Sequence, residues 1–505
     1  MTKAADQEAV LAFLGNSSEA KRVDTHISIV FLEGDRVLKI KRAVRLPFLD
    51  YSSLEKRKQA CEEELAVNRR YAPKVYRRVV PITRGSDGLH IGGNGETVEW
   101  AVEMARFDEQ RTFDHLAGHG VITGELADAL ADAMLAAHRG APISDGASWL
   151  ASTAGLIDRN TAKLQSQSLL LRDEVERLHV SSHQALSGNF ALLQQRAAAG
   201  LVRHCHGDAH LGNIALIDGK PVLFDAIEFD PALATTDLLY DLAFPIMDFV
   251  HFDESVAANR LLNRYLWSSW RQNADGLRLL PLFLSIRAAV RAHVLFTRHE
   301  QSASDSAALA QAKSYFALAL RLIAPERPSL IAVGGRSGTG KTVLARSIAA
   351  ALDPPPGAVV LRTDVIRKEV FGFDPLTALG EAAYAPDVND RVYRTMLARG
   401  ATLLKQGMSV VFDAAFLRKD ERDLAPAVAS AGGAHFCGLF LDAPSHIRVQ
   451  RIGSRGPDAS DADRDVALRQ DSFDIGALDW PVVDASGSPE DTRARATMHL
   501  RERRT

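Results

Sequence analysis

Residues His206–Asp225 read HGDAHLGNIALIDGKPVLFD, and this stretch decides the reading of the first half of the chain. It predicts a strand-turn-strand at about 214–224 inside a region otherwise patterned for helix. Phosphoryl transfer to a hydroxyl needs a carboxylate near the attacking oxygen and oxygen ligands for Mg2+ on the phosphates. Asp208 and Asn213, on one loop, suit those two tasks. A three-residue loop, Asp218-Gly219-Lys220, would set Ile217 against Pro221 and Asn213 against Asp225, ~5 Å apart across the strands. A two-residue turn would set Phe224 opposite Asn213 instead.

Upstream, HISIVFL (26–32) and RVLKIKR (36–42) flank the turn Glu33-Gly34-Asp35 and predict a hairpin. A charged helical stretch (52–71) follows, then strand-like runs ending in TVEWAVEMA (97–105). From about Glu125 to Leu322 the pattern is helical and rich in Ala and Leu. APERPSL (324–330) breaks it with two prolines. Beyond it LIAVGG, TVLARSIAAAL, AVVLRTD and MSVVFDA alternate strand and helix, the pattern of a parallel sheet. The expectation is an α+β domain followed by an α/β domain. The first spans 1–325, with a strand-rich lobe at about 20–105 and a helical one at about 106–325. The second spans 326–505.

The segment HGDAHLGN…FDAIEFDP resembles the catalytic segment of aminoglycoside phosphotransferases, which share the two-lobe protein-kinase fold, and the likeness covers about 20–325. The resemblance implies Asp208 as catalytic base and Asn213 and Asp225 as Mg2+ ligands. His206 would support the loop, Glu228 would lie near metal or substrate, and Asp237 and Asp241 would brace the catalytic loop. It also implies a phosphate-binding lysine paired with a glutamate. Lys39 is favoured and Lys41 lies close behind, on the same strand face; Glu64 is the partner. Glu103 and Met104 would form the hinge beside adenine. A glycine-rich phosphate loop is missing. DTHISIVFL stands in its place, where Thr25, His26 and Ser28 either contact phosphate or merely begin a strand. Arg287 and Arg291, one helical turn apart, either grip an anionic acceptor or make surface or inter-lobe salt bridges.

Gly335-Arg336-Ser337-Gly338-Thr339-Gly340-Lys341-Thr342 fits GxxxxGK[ST] between an apolar strand and a helix. In such a loop the amides and helix start cradle phosphates, Lys341 reaches the terminal phosphates and Thr342 contacts Mg2+. Asp413, ending MSVVFDA, suits a second metal contact. Arg362, Asp364 and Arg367 follow AVVL, the second strand of this half, where the P-loop kinases of the nucleoside and gluconate type that it resembles bind their acceptor. There Asp364 would orient or deprotonate a hydroxyl, or cap a helix, and Arg367 would hold an anionic group. Arg451 and Arg455 precede the acidic DASDAD, a stretch that resembles the lid of small P-loop kinases, whose arginines act on the transferring phosphate; the alternative is ordinary surface arginines. The segment 328–475 resembles the zeta-toxin, gluconate-kinase and polynucleotide-kinase-like P-loop kinases. The arginine-rich tail after Asp491 reads as a solvated helix.

With 505 residues the chain is too long for one core. Its net charge of −3, with both signs interspersed, argues against nucleic-acid binding. Three scattered cysteines, Cys61, Cys205 and Cys437, form no metal-ligand pattern and suggest a reducing compartment. No signal peptide or stretch of ~18 uncharged apolar residues is evident, so a cytoplasmic enzyme is expected. The pairing resembles bacterial bifunctional aminoglycoside-phosphotransferase-like, ATP-binding proteins. It implies ATP and Mg2+ as cofactors and small-molecule acceptors, with two separate transfer sites. Two alternatives stand beside this: one domain as a nucleotide sensor regulating the other, or a toxin-like kinase of nucleotide sugars.

Overall fold

The computed structural model describes residues 4–16, 21–25, 27–46, 49–301, 305–374, 377–454 and 459–502. They gather into two compact units, Met1–Arg159 with Phe190–Asp248, and Asn160–Asn189 with Phe249–Thr505.

The first unit holds a six-stranded antiparallel sheet. Its strand order is Lys21–Asp24, Ser28–Glu33, Arg36–Lys41, Glu96–Ala105, Tyr76–Gly85, Gly88–Ile91. Side-chain alternation sends Ile29, Phe31, Leu38 and Ile40 to one face, where Val10 and Leu14 of the helix Ala4–Gly15 cover them. The opposite face presents Leu32, Val37, Val102 and Met104 to Cys61 of the helix Leu54–Asn68. Lys39 and Lys41 follow Val37 at two-residue steps, so they reach the side from which that helix delivers Glu64. Sequence reading placed the first hairpin correctly but missed Lys21–Asp24, a short exposed edge strand.

The hairpin after residues 206–213 takes the two-residue alternative rather than the three-residue loop. Ile214–Ile217 pairs with Lys220–Leu223 so that Ile217 faces Lys220, leaving Asp218-Gly219 as a two-residue turn. Both turn residues have positive φ, 51° and 74°, as a type I′ turn requires, and its twist matches that of the strands. Phe224 N–H therefore donates to Asn213 O at 2.9 Å, and Asp225 lies one residue beyond the pair, itself at φ 60°.

The second unit is built on a parallel five-stranded sheet in the order Val359–Arg362, Val410–Asp413, Ser329–Gly335, His435–Asp442, Val482–Asp484. Ser329–Gly335 is buried along its whole length, as a central strand covered on both faces must be. Leu344, Ala345 and Ile348 of the helix Lys341–Ala350 close one face together with Ala496 of the helix Pro489–Glu502. That last helix was expected to be solvated; Ala496 is instead part of the core, with Leu500 packed beside it. On the other face Gly400 lets the helix Pro386–Lys405 approach Phe412, where a Cβ would come within 2.5 Å of the ring.

The sheet edge at Val359–Arg362 is covered by the helix Ser255–Asn273. Asn263 accepts from Val360 N–H at 2.8 Å and donates to Ala358 O at 3.1 Å. Asn259 donates to Pro356 O and Ala358 O at 2.9 and 3.0 Å. These amides satisfy backbone groups that a bare edge leaves open. By length and composition Ser255–Gln301 would suffice to cross a membrane, but its most apolar window is 72% buried within the protein.

Candidate active sites

The first cluster forms where the Arg36–Lys41 strand, the Leu54–Asn68 helix and the 206–228 segment meet. Lys39 Nζ lies 2.8 Å from Glu64 Oε1 and 2.5 Å from Asp225 Oδ1. Lys41 Nζ lies 2.7 Å from Glu64 Oε2 and also donates to Glu228. Burial opposes the charge on Lys39, but Asp225 and Glu64 more than reverse that and raise its pKa. Burial likewise opposes ionisation of Asp225, and Lys39 outweighs it, leaving the carboxyl below its ordinary value. Tyr76 Oη donates no charge but holds the peptide, accepting from Asp225 N–H at 3.1 Å. Asn68 clamps the next residue, its amide oxygen taking Ala226 N–H at 2.8 Å.

On the loop, Asn213 Nδ2 donates to Asp208 Oδ2 at 3.1 Å and to Asp208 O at 3.0 Å, so the expected base and metal-binding amide are neighbours. Asp208 keeps 39% of its side chain exposed, so it is reachable from solvent. His206 Nε2 meets Phe224 O at 3.0 Å, and burial holds the ring below its usual pKa, so it donates as a neutral imidazole. Asp241 takes Gly207 N–H at 2.9 Å and faces His138 Nε2 at 3.1 Å. Arg196 grips Asp237 through two bonds of 2.7 and 2.8 Å. Asp241 thus braces the loop, whereas Asp237 is tied to the helix Phe190–Ala198. Thr25 spends its hydroxyl closing the turn to Ser28 O at 2.9 Å, a strand-start role; His26 lies outside the described residues. Met104 is buried next to Glu103, whose carboxylate meets Arg78 at 3.0 Å.

The second cluster surrounds the glycine loop. Gly335, Gly338 and Gly340 all have positive φ, between 84° and 135°. Gly338 has a further reason to be glycine, because a Cβ there would stand 2.5 Å from Arg448 O. Thr342 Oγ1 donates to Asp413 Oδ2 at 2.7 Å, and Arg362 Nε reaches the same oxygen at 3.2 Å. Lys341 Nζ folds back on Arg336 O at 3.0 Å, and burial lowers its pKa against the pull of Asp413 and Asp364. Burial raises the Asp364 carboxyl in turn, against Arg362. Ser337 N–H donates to the Gln470 side chain at 2.7 Å, Arg336 Nε donates to Gln470 O at 3.0 Å, and Thr339 Oγ1 closes on Arg336 O at 2.8 Å.

Residues 29–280 match the model of the phosphotransferase enzyme family, and residues 330–473 match that of an AAA domain. An uncharacterized protein of Mycobacterium tuberculosis (strain ATCC 25618 / H37Rv) is 28% identical over 466 residues, 90% of each chain. Among solved structures, an amicoumacin kinase in complex with AMP-PNP, Ca2+ and Ami covers 63% of this chain and 94% of its own, at 12% identity and TM-score 0.38. A gluconokinase from Sinorhizobium meliloti 1021 covers 35% and 94%, at 20% identity and TM-score 0.25. The chain joins a stretch matched to the phosphotransferase enzyme family to one that is matched to an AAA domain and carries the glycine loop. It is an ATP-dependent kinase.

The donors in both domains fit the groups such an enzyme uses. In the phosphotransferase domain, Asn213 and Asp225 carry hard oxygens of the kind magnesium takes and would hold it, and Lys39 carries a cation that would suit phosphate. In the P-loop domain, three glycines open the backbone, and Thr342 with Asp413 would supply the oxygens.

Other expected residues have hydrogen-bond or ring partners of their own. Arg367, nearly buried, donates to Ala383 O at 2.6 Å and Asn389 at 2.7 Å, with its guanidinium over the Tyr384 ring. Arg451 gives its two terminal nitrogens to Ala485 O and Gly487 O at 2.7 and 2.6 Å, securing the chain after the last strand. Arg455 lies outside the described residues. Arg287 is buried in the helix Leu280–Gln301, and Arg291 lies over the Tyr315 ring. Sequence reading missed Arg448. It is 1% exposed, donates to Ser337 O at 3.2 Å, Ala443 O at 3.1 Å and Asp471, and so fixes the rear of the phosphate loop. Only its position one turn before Arg451 pointed to it.

Proposed function

We propose that the protein is a bifunctional phosphotransferase with two separate Mg-ATP sites, one in residues 1–325 and one in 326–505. Each site moves the γ-phosphoryl group of ATP to a hydroxyl or phosphate of a small-molecule acceptor, in the cytoplasm. The observation that carries this reading is that each part sets a lysine beside its own oxygen donors. Lys39 stands with Asp225, while Asn213 adjoins Asp208. Lys341 adjoins Thr342, which bonds Asp413.

Magnesium, when bound, draws charge from the phosphate oxygens and lowers the cost of breaking the bond to the leaving phosphate. At the first site Asn213 and Asp225 would hold it and Lys39 would neutralise phosphate. Asp208 takes the proton of the acceptor hydroxyl as its oxygen attacks phosphorus, a task worth ~10²–10⁴-fold. At the second, Thr342 and Asp413 would hold the ion and Lys341 would turn from Arg336 O to the phosphates. Asp364 takes the acceptor's proton there, and its raised pKa makes it a better base than an exposed aspartate.

A screen of [γ-³²P]ATP against a metabolite library, run with wild type, Asp208→Asn and Lys341→Ala, tests this. Two sites require acceptors whose labelling is lost in one variant and kept in the other. Labelling lost together in both variants would overturn independence. It would favour the second reading, in which one domain senses nucleotide for the other. The Asn259 and Asn263 bonds support that reading, because they tie residues matched to the phosphotransferase family directly to the strand that delivers Arg362 and leads to Asp364.

A further inference from the structure

Two lysines, Lys39 and Lys41, share one glutamate in the first site, yet their surroundings differ. Glu64, fully buried, gives one carboxylate oxygen to each, at 2.8 and 2.7 Å. Lys39 keeps 12% of its side chain exposed and touches Asp225, which is 44% exposed. Lys41 has no exposed side-chain surface, and its second carboxylate, Glu228, keeps only 5%. The groups facing Lys41 from the neighbouring elements are Glu64, Cys61, Tyr51, Glu228 and Lys39. The Tyr51 ring centroid lies 5.6 Å from its ammonium.

A phosphate approaching this cluster meets Lys39, on the open side, together with Asp225. Lys41 is sealed behind it. If Lys39 turns to a phosphate, its bond to Asp225 is released for metal, and Glu64 would lose half of its neutralisation were Lys41 not there. The connected cluster holds three carboxylates and two ammonium groups. Removing Lys41 leaves three against one in a buried setting, where an uncompensated charge is far costlier than at the surface.

We propose that Lys41 is a positioning residue: a permanently buried counter-ion that fixes Glu64 and Glu228, so that Lys39 alone moves between Asp225 and the phosphates. This rests on the reading of the first site as a nucleotide site. It also gives Glu228 a fixed internal partner, in place of the metal or substrate contact expected of it.

The test uses the full-length chain carrying Lys341→Ala, so that nucleotide binding reports the first site, with Mg-AMP-PNP as the calorimetric probe between pH 6 and 9. Lys39→Met should weaken binding at every pH, and adding Glu228→Gln should not restore it. Lys41→Met should weaken binding progressively as pH rises, by roughly tenfold at the alkaline end for groups coupled in one network, because the stranded Glu228 ionises and repels Glu64 and Asp225. Adding Glu228→Gln to Lys41→Met should flatten that profile and return affinity to within about threefold of the parent. Lys41→Arg should keep the parent profile, because it keeps the charge. Should Lys41→Met fail to fold, recovery of folding in the double variant supports the counter-ion role and continued failure overturns it. A loss in Lys41→Met that is independent of pH and unrelieved by Glu228→Gln would overturn the inference, as would unchanged affinity at pH 9. A parent that binds no Mg-AMP-PNP would overturn the nucleotide-site reading itself, and this inference with it.

Discussion

Thr342 Oγ1 bonds Asp413 Oδ2 across 2.7 Å, joining the first turn of the helix after the glycine loop to the end of a neighbouring parallel strand. Arg362 reaches the same carboxylate oxygen from a third element. The oxygens proposed to hold magnesium in the P-loop domain are therefore placed by protein bonds. Thr342→Val should weaken Mg-nucleotide binding there by roughly 10–100-fold, the worth of a hydrogen bond to a charged group. Calorimetry with and without EDTA checks this, since the deficit should shrink when magnesium is withheld.

Asp208→Asn should reduce transfer at the first site by ~10²–10⁴-fold while leaving the melting temperature unchanged within about 1 °C. The side chain is partly exposed, and asparagine can still accept from Asn213, so little stability is at stake. Steady-state kinetics on an acceptor from the labelling screen, beside a thermal melt, separates the two effects. Unchanged turnover would remove Asp208 from the mechanism.

Acid should destabilise the phosphotransferase domain partly through His206. Burial lowers its folded pKa below the ordinary value of 6.5. Its contribution is therefore complete above that value and is lost as pH falls through the lower folded one. His204 titrates in the same sense in every variant, so a difference measurement is needed. Between pH 7.5 and 5 the melting temperature of His206→Gln should fall less than that of wild type.

The two-residue turn has its own test. Gly219 sits at φ 74° with nothing within 4 Å of where a Cβ would stand, so alanine there meets no clash and suffers only from left-handed backbone. Gly219→Ala should cost ~1–2 kcal/mol in urea unfolding. A neutral substitution would mean that the turn is not type I′.

Asn263→Leu removes both bonds to the Val359–Arg362 edge. Stability of the second unit should fall by about 1–3 kcal/mol for the stranded backbone groups. Hydrogen exchange at Val360 should rise with it.

Much of this architecture is legible in the residues, and the exceptions have physical causes. Periodicity and breakers locate both sheets, and the spacing of Asp208 and Asn213 survives as a direct contact. The sequence left two hairpin registers open, and the two-residue turn that Asp-Gly favours is the one formed. Arg448 escaped notice because an arginine one turn from Arg451 carries no mark of which will be buried. Only the fold brings Ser337 and Asp471 to it. The tail was assigned to solvent on its charge, while its few apolar positions, Ala496 and Leu500, pack on the sheet. The edge clamp by Asn259 and Asn263 has no local signature at all, since its partners lie about a hundred residues away.

The most direct test counts binding events. Titrating the full-length chain with Mg-AMP-PNP should give two equivalents for wild type, one for Lys341→Ala and one for Lys39→Met. A single equivalent in wild type, unchanged by Lys39→Met, would contradict the existence of two nucleotide sites.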